Sequence, residues 1–127
     1  MHERIGNTAC TNYLESLKKG EFKIDSEGCY CILEGYPNWL RIYFPEQEIP
    51  PHEKLLDEAI HVIKILPELD KRANQSEESE NYKPYLMNIY LTTEELELRY
   101  CSEIVNTEWG AYFIKNQAND WEFEELG

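Results

Sequence analysis

The stretch "TTEELELRYCSE", residues 92–103, fits two incompatible local structures. Thr92 stands three residues before Glu95, which is the spacing of a helix capping box. From Leu96 to Tyr100, however, apolar and charged residues alternate, which is the pattern of a half-buried strand. Strand-like runs precede and follow the stretch at short spacing, whereas a helix here would have only about two turns. We therefore predict a turn followed by a strand.

The segments around this stretch predict a β-meander over the last third of the chain. Tight connections fit at "TTEE", around residues 106–107 and at "NQAND". The runs between them are apolar or alternate apolar and polar residues, and we interpret each as a strand: "YLMNIYLTT", "ELELRYC", "EWGAYFIK" and "DWEFEEL".

The first third of the chain predicts three more strands after a short helix. "EFKI" and "CYCIL" flank the turn-rich "DSEG" and indicate a hairpin, and "WLRIYF" indicates a third strand. In that strand Leu40, Ile42 and Phe44 fall on one face, and Trp39, Arg41 and Tyr43 fall on the other.

Two helices are expected. Asn7 is a candidate cap for a short N-terminal helix that ends at Gly20, because glycine suits the left-handed conformation found after helix ends. The main helix covers residues 52–66, where apolar residues recur at helical spacing. Pro67 should kink or end it, with a further turn or two beyond.

Together these elements predict one α+β domain over residues 1–127, with a largely antiparallel sheet and the helix of residues 52–66 packed on one face. The chain has 127 residues, 42% of them hydrophobic, which suits a single core. Residues 75–84 are polar and offer nothing aliphatic to bury. We expect them to form an exposed mobile loop, since ordering them would cost about 1–2 kcal/mol per residue.

The charge balance narrows the possible partners. Twelve basic and twenty-five acidic residues give a net charge of −13. This excess repels phosphate backbones and anionic lipid, so we expect neither nucleic acid nor a membrane as partner. The polar start "MHERIGNTAC" does not have the pattern of a signal peptide, which predicts a cytoplasmic protein.

No established catalytic or cofactor motif is found along the chain. HExxH, GxSxG and a phosphate-binding glycine loop are absent, and the three histidines are scattered. Cys29 and Cys31 form a lone Cys-x-Cys pair, which we interpret as small buried residues rather than half of a zinc site. We therefore predict no catalytic residue, no metal and no cofactor. A Cys–His nucleophile pair formed only in the fold has no specific support.

Carboxylates and aromatic residues are concentrated in the final strands. If these strands pair, Glu95 and Glu97 should share an outer surface with Glu122 and Glu124, because side chains alternate between faces. Rings beside carboxylates commonly anchor Lys- and Arg-bearing protein surfaces. Alternatively, the acids form only a solvated face and the rings only a core. The candidate partner-binding residues are Glu95, Glu97, Tyr100, Trp109, Trp121, Glu122 and Glu124.

The size, α+β pattern, acidity and Glu-rich tail "NIYLTTEELELRYCSEIVNTEWGAYFIKNQANDWEFEELG" resemble the small acidic immunity proteins of bacterial contact-dependent inhibition and other polymorphic toxin systems. The resemblance implies an antidote in the cytoplasm that binds a cognate toxin domain, often a basic nuclease, without catalysis. Two other hypotheses remain open: an acidic adaptor or regulatory binding module, and a small enzyme of an unrecognised type.

Overall fold

The computed structural model describes residues 5–35, 38–45, 51–75 and 81–127. Within these described residues, three helices and seven strands have defined bounds. In chain order they are α1 (Asn7–Lys18), β1 (Phe22–Asp25), β2 (Gly28–Leu33), β3 (Leu40–Phe44), α2 (Glu53–Lys64), α3 (Leu66–Ala73), β4 (Tyr85–Leu91), β5 (Glu95–Ser102), β6 (Thr107–Lys115) and β7 (Trp121–Leu126).

The strands form one seven-stranded sheet in which the spatial order is the chain order, β1 to β7. Every neighbouring pair is antiparallel except β3 and β4, which are parallel. A parallel pair needs a long crossover connection, and α2 and α3 lie in that connection. The predicted α+β domain, its largely antiparallel sheet and its C-terminal meander are confirmed.

The core lies between the three helices and one face of the sheet. Leu17 of α1, Ile63 of α2 and Leu69 of α3 belong to the same apolar cluster as Ile42 and Leu98 of the central strands. The alternate positions of β2 to β6 point away from this cluster. Among the described residues no helix covers that side of the sheet, which we call the open face.

The opening stretch forms a turn and a strand, as predicted. The Glu95 amide donates to Thr92 Oγ1 at 3.0 Å, and the Thr92 amide donates to the Glu95 carbonyl at 2.9 Å. The bond to Thr92 Oγ1 has the spacing of a helix cap, but here it closes the turn between β4 and β5. The capping signal is therefore real, although the structure that it closes is a hairpin.

The helix ends follow local chemistry, with one correction. Gly6, not Asn7, is the N-cap of α1, and Asn7 is its first helical residue, so the prediction of an Asn7 cap is wrong. Gly20 follows the helix with φ of +69°, as predicted.

In α2, His52 is the N-cap, and its Nδ1 accepts the Leu55 amide at 3.1 Å. The main helix ends before Pro67, as predicted, since α2 stops at Lys64. Pro67 itself lies in the first turn of α3, where its missing N–H costs little.

The predicted mobile loop of residues 75–84 lies partly outside the described residues, which omit 76–80. Its C-terminal part contradicts the prediction that nothing there is buried. Pro84 is buried, and the Tyr82 ring packs edge-on against Trp109 with the ring centroids 6.4 Å apart. The Ser102 hydroxyl also donates to the Tyr82 carbonyl. This part of the segment is therefore packed through the Tyr82 ring and Pro84, although it contains no aliphatic residue.

Candidate functional site on the open face

One row of side chains crosses the open face on all seven strands. Cross-strand pairing brings these residues into register, and neighbouring members therefore lie close enough for their side chains to interact. The row consists of Lys23, Tyr30, Tyr43, Tyr90, Glu97, Tyr112 and Glu125. Aromatic residues occupy its centre and carboxylates its C-terminal end.

Three of these residues, Tyr30, Tyr43 and Tyr90, form the tyrosine row. The Tyr43 ring lies between the other two, with centroid distances of 5.2 Å to Tyr30 and 5.0 Å to Tyr90. Although Tyr43 is on the open face, only 2% of it is exposed, because its two neighbours cover it. Its hydroxyl donates to Asp25 Oδ2 at 2.9 Å and accepts from Arg41 Nη1 at 3.2 Å. The three rings therefore form one continuous aromatic surface with Tyr43 at its buried centre.

Tyr90 is held by polar groups at its tip. Its hydroxyl donates to Glu27 Oε1 at 3.2 Å and accepts from Asn88 Nδ2 at 3.3 Å. Burial, followed by the nearby charge of Glu27, raises the pKa of Tyr90 to about 12. Both effects favour the neutral phenol, which can go on donating its hydrogen bond well into the alkaline range.

The raised phenol pKa values predict a loss of stability at alkaline pH. Burial also raises the pKa of Tyr13 to about 12, and this hydroxyl donates to the Asn38 carbonyl at 2.7 Å. In the unfolded chain both phenols ionise near pH 10. Their contribution is therefore fully present below pH 10 and is lost as pH rises towards 12. Urea unfolding between pH 9 and 12 should show this decline, and Tyr90→Phe should make it shallower. An equal slope in the variant would contradict the assignment to Tyr90.

Arg99 lies between two carboxylates on β5 and β6. Its Nη1 lies 2.8 Å from Glu97 Oε2, and its Nη2 lies 3.3 Å from Glu108 Oε1. The hydrogen bond to Glu97 is the main reason that the pKa of Arg99 is raised further above its ordinary value. Arg99 is thus already engaged within the molecule. It neutralises part of the charge of Glu97 and Glu108.

Glu95, Glu97, Glu122 and Glu124, which we call the acidic patch, lie on the open face. Glu95 and Glu122 share a cross-strand row with Ile114, and Glu124 is the extra residue at the bulge between β6 and β7. Glu95, Glu97 and Glu124 line one groove. Among the described residues, Glu95, Glu122 and Glu124 have no basic side chain within ion-pair distance. The structure thus brings together the four glutamates that the sequence singled out.

The three predicted aromatic residues lie on the other face, against the helices. Tyr100 is fully buried and donates to Asp70 Oδ1 at 2.6 Å. Trp121 is 2% exposed and donates to Glu58 Oε1 at 2.8 Å, and Trp109 is half-buried beside Tyr100. The prediction that these rings share a contact surface with the glutamates is therefore corrected, because strand alternation points them into the core.

Tyr90 and Tyr112 pair with Glu97 beside the acidic patch. The sequence places both among the rings near these acids, but neither was selected as a contact residue. Sequence reasoning missed Tyr30 and Tyr43, which continue the aromatic surface beyond Tyr90. Alternation along "WLRIYF" separates Tyr43 from the core positions, and the same rule applied to "CYCIL" places Tyr30 beside it. No local signal, however, indicates that β3 pairs with β4. That parallel pairing brings Tyr43 against Tyr90 and completes the tyrosine row.

Within the described ranges, no group of three His, Cys, Asp or Glu residues is arranged to hold a metal ion. The four cysteines are free thiols, and burial raises the pKa values of Cys10, Cys29 and Cys31. A raised pKa keeps a thiol protonated and makes it a poor nucleophile. These three cysteines are consistent with packing residues.

Comparison of the chain with protein-family models, curated proteins and solved structures finds no match. No helix in the described part of the chain has the length and apolar character needed to cross a membrane.

Proposed function

We propose that this protein is a binding protein that neutralises a basic protein domain by direct contact through the open face, in the manner of an immunity protein that binds its cognate toxin. The observation that carries the proposal is the composition of the open face over the described part of β5 to β7. That surface has a single basic side chain, Arg99, and six carboxylates: Glu95, Glu97, Glu108, Glu122, Glu124 and Glu125.

The sheet tolerates this charge only because solvent or a partner screens it. Like charges on neighbouring strands destabilise a sheet by tenths of a kcal/mol to about 1 kcal/mol per pair. Arg99 relieves the repulsion around Glu97 and Glu108, but Glu95, Glu122 and Glu124 have no such counter-ion in the described structure. A surface of Lys and Arg side chains would supply it.

The tyrosine row provides the second part of the binding surface. Binding energy usually concentrates in a few aromatic or arginine residues at the centre of an interface, surrounded by polar residues that exclude water. Tyr30 and Tyr90 are partly exposed, and the buried Tyr43 ring packs against both of them. In this mechanism the acidic patch steers the basic partner to the open face, and the tyrosine row forms the dry centre of the contact.

Electrostatic steering leads to the first binding prediction. Co-expression with the C-terminal domain encoded by the upstream gene should relieve that domain's toxicity, because an antidote gene is expected to follow its toxin gene. Reversing two charges with Glu95→Lys and Glu122→Lys should slow association about tenfold at low salt and less at high salt, since salt screens exposed charges. Stopped-flow kinetics across a salt series measures this.

The matched control reverses two exposed helix carboxylates with Glu15→Lys and Glu53→Lys, which change the net charge equally. Similar effects of the two variants would show that overall charge, not the open face, governs binding. If the chain binds the domain but does not relieve its toxicity, an acidic adaptor is favoured. If the chain neither binds the domain nor relieves its toxicity, the proposed partner is refuted.

A further inference from the structure

We propose that the groove between Tyr90 and Tyr112 on the open face receives one Arg or Lys side chain of the basic partner. This inference rests on the proposed function and specifies which part of the surface recognises the partner. The groove has a volume of about 640 Å³. Tyr90 and Tyr112 form its sides, Ile114 contributes apolar surface, and Glu95, Glu97 and Glu124 supply its charge.

Two glycines determine where the Tyr112 ring lies. A Cβ on Gly110 would lie 3.0 Å from Tyr112 Cζ, and one on Gly127 would lie 2.8 Å from Tyr112 Cε2. The ring therefore lies over backbone that carries no side chain, and it packs close to the surface of the sheet. This placement leaves Ile114, which is 40% exposed, accessible beside the carboxylates.

Two basic side chains of this molecule are each held by an aromatic ring and a carboxylate. The Arg41 guanidinium lies 4.8 Å from the Tyr30 ring centroid and 3.8 Å from Asp25. The Lys115 ammonium lies 4.6 Å from the Trp121 ring centroid and pairs with Glu58. These contacts show the local geometry in which this sheet holds a cation.

The groove has the same chemical groups but no cation of its own among the described residues. Glu95 and Glu124 have no ion-pair partner there, and Glu97 binds Arg99 through one of its oxygens. An Arg or Lys side chain fits this combination, because its aliphatic stem can pack on Ile114 while its charged end reaches the carboxylates. A second copy of this chain is a poor occupant, since each copy carries a net charge of −13.

The test is an NMR titration of the full chain with the peptide acetyl-Gly-Arg-Gly-amide. We expect saturable amide shifts centred on Glu95, Tyr112 and Ile114, with a Kd on the order of 10 mM, as suits a single-residue contact. The peptide with citrulline in place of Arg has the same shape without the charge and should give no saturable shift. The Lys peptide should bind at the same residues.

Variants separate the groove from general acidity. Glu95→Gln with Glu124→Gln should raise the Kd about fivefold, whereas Glu15→Gln with Glu53→Gln should leave it unchanged. Shifts spread over the helices, equal binding of the citrulline peptide, or no saturation would each overturn the inference. If the groove variant also retains full rescue in the co-expression assay, only the groove is excluded. Failure of the wild-type chain to relieve toxicity in that assay would instead exclude the proposed function.

Discussion

Tyr43→Ala should lower the free energy of unfolding by about 3–5 kcal/mol, the usual cost of removing a buried aromatic ring. Tyr43 is 2% exposed, and its ring stacks on Tyr90 and contacts Tyr30 at a tilt of 39°. Its removal eliminates two ring contacts, each contributing about 0.5–1.5 kcal/mol beyond simple burial. It also deprives Asp25 of the Tyr43 hydroxyl donor. Urea unfolding followed by fluorescence measures the change.

Two controls show which part of Tyr43 matters. Tyr43→Phe keeps the stacked ring and loses only the hydroxyl bonds to Asp25 and Arg41, so it should cost about 1–2 kcal/mol. Trp39→Ala removes a ring directly before β3 that is 63% exposed and should stay within about 0.5 kcal/mol of wild type. If Tyr43→Ala costs no more than Trp39→Ala, the tyrosine row does not support the sheet.

Glu58→Ala should cost about 3 kcal/mol of unfolding free energy. Glu58 on α2 pairs with Lys115 on β6, and the two side chains are only 19% and 10% exposed. Glu58 Oε1 also accepts the Trp121 indole N–H at 2.8 Å. Breaking a largely buried pair leaves the remaining charge uncompensated, which is more costly than losing a surface ion pair. Chemical denaturation at pH 7 gives the value.

Removing both charges should be much less harmful than removing one. Glu58→Gln together with Lys115→Met leaves no unpaired charge and keeps an oxygen for the Trp121 N–H, so we expect a loss of about 1 kcal/mol or less. Glu68→Ala provides the exposed comparison, because the Glu68–Arg72 side chains are 57% and 43% exposed. Its cost should be below about 1 kcal/mol. Equal losses for Glu58→Ala and Glu68→Ala would contradict the buried-pair assignment.

Local sequence patterns were sufficient to predict most of the elements. In β5, Leu96, Leu98 and Tyr100 alternate with charged residues, and all three are buried as that alternation requires. Asn106 and Asn119 adopt positive φ in the turns that follow β5 and β6, as turn chemistry indicates. These features could be predicted because each depends on a few neighbouring residues and on the period of the backbone.

The chemistry of the candidate site was only partly predictable. Alternation alone placed Glu95, Glu97, Glu122 and Glu124 on one surface, and the structure shows them there. Strand alternation also places Tyr100 on the face opposite Glu97. Tyr100 was nevertheless predicted to be a contact residue, because rings and carboxylates are concentrated in the same strands. The aromatic residues that lie beside the acids, Tyr90 and Tyr112, pair with Glu97 on its two neighbouring strands.

By itself, the sequence determined the fold class, the strand and helix periods, the acidic charge and the side of the sheet on which the glutamates lie. Only the tertiary structure decided that β3 and β4 pair in parallel, which joins Tyr43 to Tyr90 across 47 positions of the chain. It also decided that Glu58 of α2 meets Lys115 and Trp121. The physical reason is that strand order and helix docking depend on how all the apolar faces pack together, which no local window of residues contains.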